Sequence, residues 1–284
     1  MNETIPSGLA SAPEGIVYSC SGDAYVEEAL RSARSSLAHN PIPHLLFTTA
    51  AVEDEPGLSV VRFEPSENPY VDKIANMRRS PFQRTIYLDT DTFVVDQIVH
   101  LLALLDNYEL AAAQASGYRG LADPEVPTAF YELNTGVLAW RASERFEAFM
   151  RDWQETYEAW LHDEPFAGAG KASARRIARS QATGRTQSLG GAADQPAFRR
   201  CAWQHGLSLL VLGPEYNLRL GEPTVVVERV RVIHGRHPDY EALAARVNEL
   251  RGPRIWPKPR SLGARFRRLL RRLRSQGDAA GARG

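Results

Sequence analysis

Short apolar runs alternate with stretches of helical spacing along the first half of the chain. Residues 15–20 (GIVYSC) form a continuous run that stops at the turn-prone Ser21-Gly22-Asp23, which predicts a buried strand. Residues 26–37 then place apolar side chains at helical spacing. Strands are predicted over 44–49 and 58–63, and a helix over 71–79 that stops before Ser80-Pro81. A β-branched and aromatic strand over 84–88 leads into Asp89-Thr90-Asp91-Thr92, and a short apolar run at 93–95 follows. The pattern next predicts a helix over 97–105 and a strand over 110–114. Strands alternating with helices suggest an α/β sandwich with a mostly parallel sheet.

The second half is less regular. Residues 133–141 (LNTGVLAWR) read as a strand that begins with a turn, and Ser143 is placed to cap an amphipathic helix running to about 162. Residues 164–192, rich in Gly, Ala, Ser and Arg, read as a long loop, a length unusual without a functional reason. Positions 168–192 within it are the candidate lid. A helix over 194–205, a strand over 207–212, an alternating strand over 224–234 and a helix over 240–250 complete the series. The implied organisation is a loose leader over 1–14, one domain over 15–250 and a tail over 251–284.

Composition narrows the class. With 284 residues, 43% of them apolar, and 34 Lys+Arg balancing 34 Asp+Glu, the chain is an ordinary globular mixture. Two cysteines, Cys20 and Cys201, are too few and too far apart for a stapled secreted fold or a zinc site, which implies a reduced, cytoplasmic setting. The first residues lack a basic start followed by an apolar run, so no cleaved export signal is expected. No apolar stretch approaches the roughly 20 residues that span a bilayer. The balanced total hides an asymmetry: from Arg251 onward, 11 Lys/Arg face one acidic residue, Asp278. Within residues 261–275 (SLGARFRRLLRRLRS) Leu262, Phe266, Leu269, Leu270 and Leu273 recur at helical spacing against an arginine face. Such a segment can lie on an anionic membrane surface or pack its leucines on the protein itself. No nucleic-acid module accompanies it, so no nucleic-acid partner is expected.

The sharpest chemical feature is the acidic pair Asp89 and Asp91 at the end of the apolar strand 84–88. Carboxylates separated by one residue can face the same way, and ligands of open α/β sheets bind at the carboxyl ends of strands. Two close carboxylates repel unless a cation lies between them, which suits Mg²⁺ or Mn²⁺ completed by substrate phosphates. A strand-end turn in which both aspartates cap backbone N–H groups is the alternative. A haloacid-dehalogenase-type phosphohydrolase is another, but Phe93 and the motif's distance from the chain start depart from that pattern.

The surrounding segments carry more weight. Ser21-Gly22-Asp23-Ala24-Tyr25, Lys73, Tyr87-Leu88-Asp89-Thr90-Asp91-Thr92, Asn134-Thr135-Gly136-Val137, Asp194-Gln195, Tyr216-Asn217-Leu218 and Val232-Ile233-His234-Gly235 occur in the order seen in one family. Over residues 16–235 the chain resembles the retaining glycosyltransferases of the GT-A fold, family 8, which include glycogenin and lipopolysaccharide galactosyl- and glucosyltransferases. The resemblance implies the GT-A fold, a Rossmann-like mixed, mostly parallel central sheet flanked by helices, and transfer of a hexose from a nucleotide-diphosphate sugar, a UDP-sugar, to a glycan or glycolipid hydroxyl. It implies that Asp89, Asp91 and His234 bind Mn²⁺ (or Mg²⁺), with Asp91 also near the ribose. Ser19, Ser21, Gly22 and Tyr25 would hold the uridine, and Lys73 would approach the donor's sugar or phosphates. Asn134, Asp194 and Gln195 would line the transferred sugar and the reacting face.

Each residue also has a plainer explanation. His234 ends an alternating strand and can be a satisfied core histidine, Asn134 a turn residue before Gly136, Asp194 a helix N-cap, and Tyr25 an apolar contact of its helix. A non-catalytic sugar-nucleotide-binding protein on the same scaffold is the competing class, although no metal ligand is lost. One departure is clear. Where the family often has a Lys-Pro after the strand histidine and its glycine, this chain has Gly235-Arg236-His237-Pro238. Arg236 or His237, or more distantly Lys258, would have to supply the diphosphate's positive partner.

Overall fold

In the computed structural model, residues 3–10, 12–115, 123, 125–161 and 193–256 are described. The long loop at 164–192, its lid portion and the basic segment 261–275, with Lys258, lie outside the described residues. In chain order the elements are α1 (Ser7–Ala10), β1 (Glu14–Cys20), α2 (Val26–Leu37), β2 (His44–Thr48), β3 (Leu58–Arg62), α3 (Pro69–Arg78), β4 (Arg84–Leu88), β5 (Thr92–Val94) and α4 (Leu101–Leu104). There follow β6 (Leu110–Gln114), β7 (Leu133–Arg141), α5 (Glu144–Leu161), α6 (Gln195–His205), β8 (Leu209–Leu212), β9 (Leu218–Arg219), β10 (Thr224–Val226), β11 (Val232–His234), α7 (Tyr240–Asn248) and β12 (Arg254–Trp256).

A seven-stranded sheet in the order β3-β2-β1-β4-β7-β6-β8 forms the centre. Its strands pair in parallel except β7, which runs antiparallel to both β4 and β6. The expected α/β class with a mixed, mostly parallel central sheet is the one observed. The inner strands β2, β1, β4, β7 and β6 are buried on both faces over most of their length, as their apolar runs require, whereas the edge strands β3 and β8 are partly exposed. Alternate residues feed opposite layers: Val17, Tyr87 and Leu138 join the core under α3, α5 and α6, whereas Ile16, Tyr18, Ile86 and Leu88 join the core under α2 and α4.

Two predicted elements are shorter than their patterns. The helix expected over 97–105 is helical only at Leu101–Leu104. The buried Asn40 side chain accepts the amide hydrogens of Ile98 and Val99 (2.7 and 3.2 Å), and tighter bonds from Leu101 N to Ile98 O and Leu102 N to Val99 O replace the first turn. The single strand expected over 224–234 is two, β10 and β11, separated at 227–231. There the Glu215 carboxylate accepts from Val227 N and Glu228 N (2.6 and 3.0 Å), which removes those amides from any ladder. In the stretch read as a loose leader, Glu3 N bonds to Arg62 O and Leu9 joins the core. Beyond residue 250, β12 pairs with β10.

The small sheet β5-β11-β9 decides where the chemistry meets. β5 follows Asp91 directly and pairs antiparallel with β11, setting Thr92 opposite His234. Gly235 N then donates to Asp91 O at 2.9 Å. A strand distant in sequence is thus hydrogen-bonded to the loop that carries the acidic pair.

Candidate metal and sugar-nucleotide site

Asp89 and Asp91 leave the carboxyl end of β4, the position that open α/β sheets use for ligands. Thr92 Oγ1 and N both bond back to Asp89 O (2.8 and 3.1 Å) and tighten the turn. The histidine arrives from β11, with its side chain 2% exposed, and its Nε2 lies 3.1 Å from Asp91 Oδ1 and 3.7 Å from Asp89 Oδ2. One ligand atom from each of Asp89, Asp91 and His234 falls within 4.8 Å of the other two. The sequence expectation that these residues converge is met.

The hydrogen bonds around His234 fix its tautomer from a backbone group outward. Gly136 N donates to Asn134 Oδ1 (3.0 Å), so that atom is the amide oxygen. Asn217 therefore turns its Nδ2 toward the same oxygen (2.7 Å) and its Oδ1 toward His234 Nδ1 (2.7 Å). Because Asn217 Oδ1 only accepts, Nδ1 carries the proton. A neutral ring then holds its lone pair on Nε2, facing the acidic pair. A carbonyl or carboxylate partner on the far nitrogen is the usual support of a metal-binding imidazole.

Arg219 Nη1 lies 3.1 Å from Nε2 and 3.5 Å from Nδ1, over the ring and off the Nε2 lone pair. The surroundings conflict. A neutral ring sets its lone pair against the Asp91 carboxylate, 3.1 Å away, whereas a doubly protonated ring serves Asp91 but carries its charge beside the Arg219 guanidinium. A divalent cation among Nε2, Asp89 and Asp91 would satisfy the imidazole and both carboxylates together. The donor set of two carboxylates and one imidazole fits such an ion. Burial opposes ionisation of Asp91, but contact with His234, aided by the charges of Arg236 and Arg219, holds its carboxyl below the usual range.

On the other flank Lys73, from α3, joins two carboxylates. Its Nζ is 3.0 Å from Asp89 Oδ1, 3.2 Å from Asp194 Oδ2 and 3.1 Å from Thr135 Oγ1. Three donors have three protein oxygens. Its side chain is 7% exposed; burial opposes the charge, yet Asp194 and Asp89 outweigh it and hold the ammonium above its ordinary pKa. Asp194 stands at the N-cap of α6, but its side chain caps nothing there. Its Oδ2 instead accepts from Thr135 Oγ1 (2.8 Å) as well as meeting Lys73, and its carbonyl accepts from Trp153 Nε1. The adjacent Gln195 has a buried Oε1 without a partner among the described residues. An unpaired buried acceptor is costly and calls for an explanation.

The remaining expected residues gather at the same edge of the sheet. Ser19 Oγ accepts from Asn76 Nδ2 (3.0 Å), Ser21 Oγ donates to Asp72 Oδ2 (2.7 Å), and Gly22 N donates to Thr49 Oγ1 (2.9 Å). Gly22 has φ +99°, a turn that favours glycine. Arg236 lies over the Tyr25 ring, 5.5 Å from its centre, and grips Glu28 through two bonds of 2.6 and 2.9 Å. Thr90 Oγ1 also donates to Glu28 (3.1 Å), which ties Arg236 to the acidic loop. His237 is turned back onto the carbonyl of Asp239.

The chain is similar to a galactosyltransferase of known structure, LgtC. The LgtC complex with donor and acceptor sugar analogues shares 15% identity over 83% of this chain and 94% of that one, with a TM-score of 0.47. An active-site mutant of LgtC matches with the same identity and coverage and a TM-score of 0.48. No protein-family model and no curated protein matches the chain.

Sequence reasoning assigned no role to four residues of this site. Asn217 and Arg219 act through the register of β9 against β11, and Thr135 through its bond to Asp194. Glu132, just before β7, has its carboxyl pushed up to about 8 by burial; Arg199 opposes the shift and Asp194 adds to it. Among the described residues no helix is long and apolar enough to cross a membrane.

Proposed function

We propose that this protein is a metal-dependent glycosyltransferase of GT-A type, transferring a hexose from a UDP-sugar to a hydroxyl of a glycan or glycolipid acceptor, with retention at the anomeric carbon. The observation that carries this reading is the convergence of Asp89, Asp91 and His234 around one lone pair that the protein's own groups leave in conflict. Those three residues would hold Mn²⁺ or Mg²⁺. Bound there, the ion would act as a Lewis acid on the departing diphosphate.

The chain's own residues supply the rest. Ser19, Ser21, Gly22 and Tyr25 line the edge where the nucleoside would sit, with Gly235 and Arg236 closing over it. Asn134 and Gln195 would contact the transferred sugar, and the orphaned Gln195 Oε1 is suited to accept from a sugar hydroxyl. Asp194 Oδ2 is already engaged by Lys73 and Thr135, which leaves it poorly placed as a free nucleophile. Attack by the acceptor hydroxyl on the face the diphosphate leaves, with the departing diphosphate oxygen taking the hydroxyl proton as the sugar–phosphate bond breaks, demands no further protein group and gives retention. The amphipathic pattern of 261–275 would bring the enzyme to an anionic membrane bearing a lipid-linked acceptor, cytoplasmic side.

The test is turnover of a panel of UDP-sugars by the full chain with Mn²⁺, with product analysis and an Asp91→Asn variant. The expected result is metal-dependent release of UDP with the sugar retained in a product, and a loss of about 100-fold or more in the variant, as for removal of a key electrostatic group. Undiminished turnover by Asp91→Asn would eliminate the proposal. Co-sedimentation with anionic liposomes, comparing the full chain with a truncation after Arg260, tests the membrane component: equal pelleting removes it.

A further inference from the structure

Glu28, on α2, holds the arginine that follows the strand histidine and its glycine. Its carboxylate accepts from Arg236 Nε at 2.6 Å and from Arg236 Nη2 at 2.9 Å, a two-bond clasp, and from Thr90 Oγ1 at 3.1 Å. Thr90 stands between Asp89 and Asp91. One carboxylate therefore joins the acidic loop to the segment beyond β11. Glu28 is enclosed, with its side chain 11% exposed, whereas that of Arg236 is 54% exposed.

A guanidinium carries five N–H donors. Glu28 takes one from Nε and one from Nη2, and no other hydrogen bond or ion pair reaches Arg236 among the described residues. The two N–H groups of Nη1 and the second of Nη2 remain, and together they make the end-on fork that matches two oxygens of a phosphate. The same side chain lies over the Tyr25 ring and its charge bears on Asp91. The neighbouring His237 is turned back onto the Asp239 carbonyl, so Arg236 is the cation this segment offers. An unheld arginine gives up rotamer freedom when it binds an anion; this one has given it up beforehand.

We propose that Glu28 is a positioning residue for the donor: it holds the Arg236 guanidinium beside the acidic loop with its unused fork available to the diphosphate. The inference rests on the sugar-nucleotide reading of the site. The sign of its effect separates positioning from plain charge. A carboxylate near a bound diphosphate repels it, so by charge alone neutralising Glu28 would tighten nucleotide binding. Where Glu28 acts by aiming Arg236, neutralising it weakens binding, and only while the arginine is present.

The experiment is calorimetric binding of Mn²⁺, then of UDP at saturating Mn²⁺, to the full chain as wild type, Glu28→Gln, Arg236→Gln and the double variant. Each single variant should bind UDP about tenfold more weakly, and the double variant no more weakly than Arg236→Gln alone, an ordinary coupling for residues in one hydrogen-bond network. Glu28→Gln should still take up Mn²⁺. Glu28→Ala, checked for folding by circular dichroism, is read the same way should the glutamine variant be unstable. Unchanged or tighter UDP binding by Glu28→Gln overturns the positioning role, and so does a double variant whose loss is the product of the two single losses. Loss of Mn²⁺ uptake in Glu28→Gln also overturns it, because Glu28 would then serve the acidic loop and not the arginine. Failure of the wild type to bind UDP with Mn²⁺ present would overturn the donor reading and this inference with it, a result distinct from any difference among the variants.

Discussion

Gly136 lies so close against His234 that a methyl group at its Cα would stand 2.1 Å from His234 Cε1 and 2.6 Å from Asp89 Oδ2. Its φ is not in the left-handed region, so the demand for glycine comes from space and not from backbone strain. In a strand interior alanine would otherwise be favoured by roughly 0.5–1 kcal/mol. Here neither neighbour can give way without losing its aim, since His234 is pinned by Asn217 and Asp89 by Lys73 and Tyr87. Gly136→Ala is expected to abolish Mn²⁺ binding while the fold survives with a loss of about 1–3 kcal/mol, typical of overpacking. Calorimetric Mn²⁺ titration beside urea unfolding separates the two effects, and an alanine variant that binds Mn²⁺ normally would refute the close approach.

Lys73 supplies the shared countercharge of Asp89 and Asp194. Lys73→Met would leave the 2%-exposed Asp194 carboxylate with no cation beside it. Breaking a buried pair in this way costs about 3–5 kcal/mol. The double variant Lys73→Met/Asp194→Asn removes the stranded charge and should recover a large part of that loss. Urea midpoints of wild type, single and double variants measure the coupling; strict additivity would show that the two groups do not interact.

The acidic pair was legible in the sequence because two carboxylates one residue apart at a strand end are informative by themselves, His234 only through the resemblance of the ordered segments around it, and the regular elements because their periods are long. The orientation of His234 was not, since it is transmitted from Gly136 N through Asn134 and Asn217, and each bond depends on the register of β7, β9 and β11. Arg219 was invisible for the same reason. The helix expected over 97–105 and the strand over 224–234 failed where a single distant side chain, Asn40 or Glu215, captured the backbone amides that the local pattern had assigned to the element. Periodicity reports which face is apolar, and says nothing of such capture.

His44 makes the fold sensitive to acid. It lies fully buried, donating from Nδ1 to Ile42 O and accepting Ser36 Oγ–H at Nε2, the arrangement of a neutral ring. Burial pushes its pKa down from 6.5 to about 4, with the Ile42 carbonyl opposing. The unfolded chain therefore binds a proton that the folded chain refuses, so stability from this site is full above about pH 6.5 and falls as the pH drops toward 4. The loss is on the order of 3 kcal/mol. Unfolding curves of His44→Gln between pH 4 and 7 should show a flatter acid limb than the wild type, at a lower neutral-pH stability.

Glu132 acts with the opposite sign. Burial, with the Asp194 charge adding and Arg199 opposing, raises its carboxyl from 4.5 to about 8, and its Oε1 has no partner among the described residues. The folded protein favours the neutral acid, so the stability this provides is complete below about pH 4.5 and is lost as the pH rises through about 8. Glutamine is a neutral isostere that never ionises. Glu132→Gln should therefore leave the melting temperature unchanged near pH 4.5 and raise it increasingly up to pH 8.5, as followed by circular dichroism across that range. A variant whose melting temperature tracks the wild type at every pH would show that the Glu132 carboxyl is ionised at no cost, and that its burial is relieved by a partner.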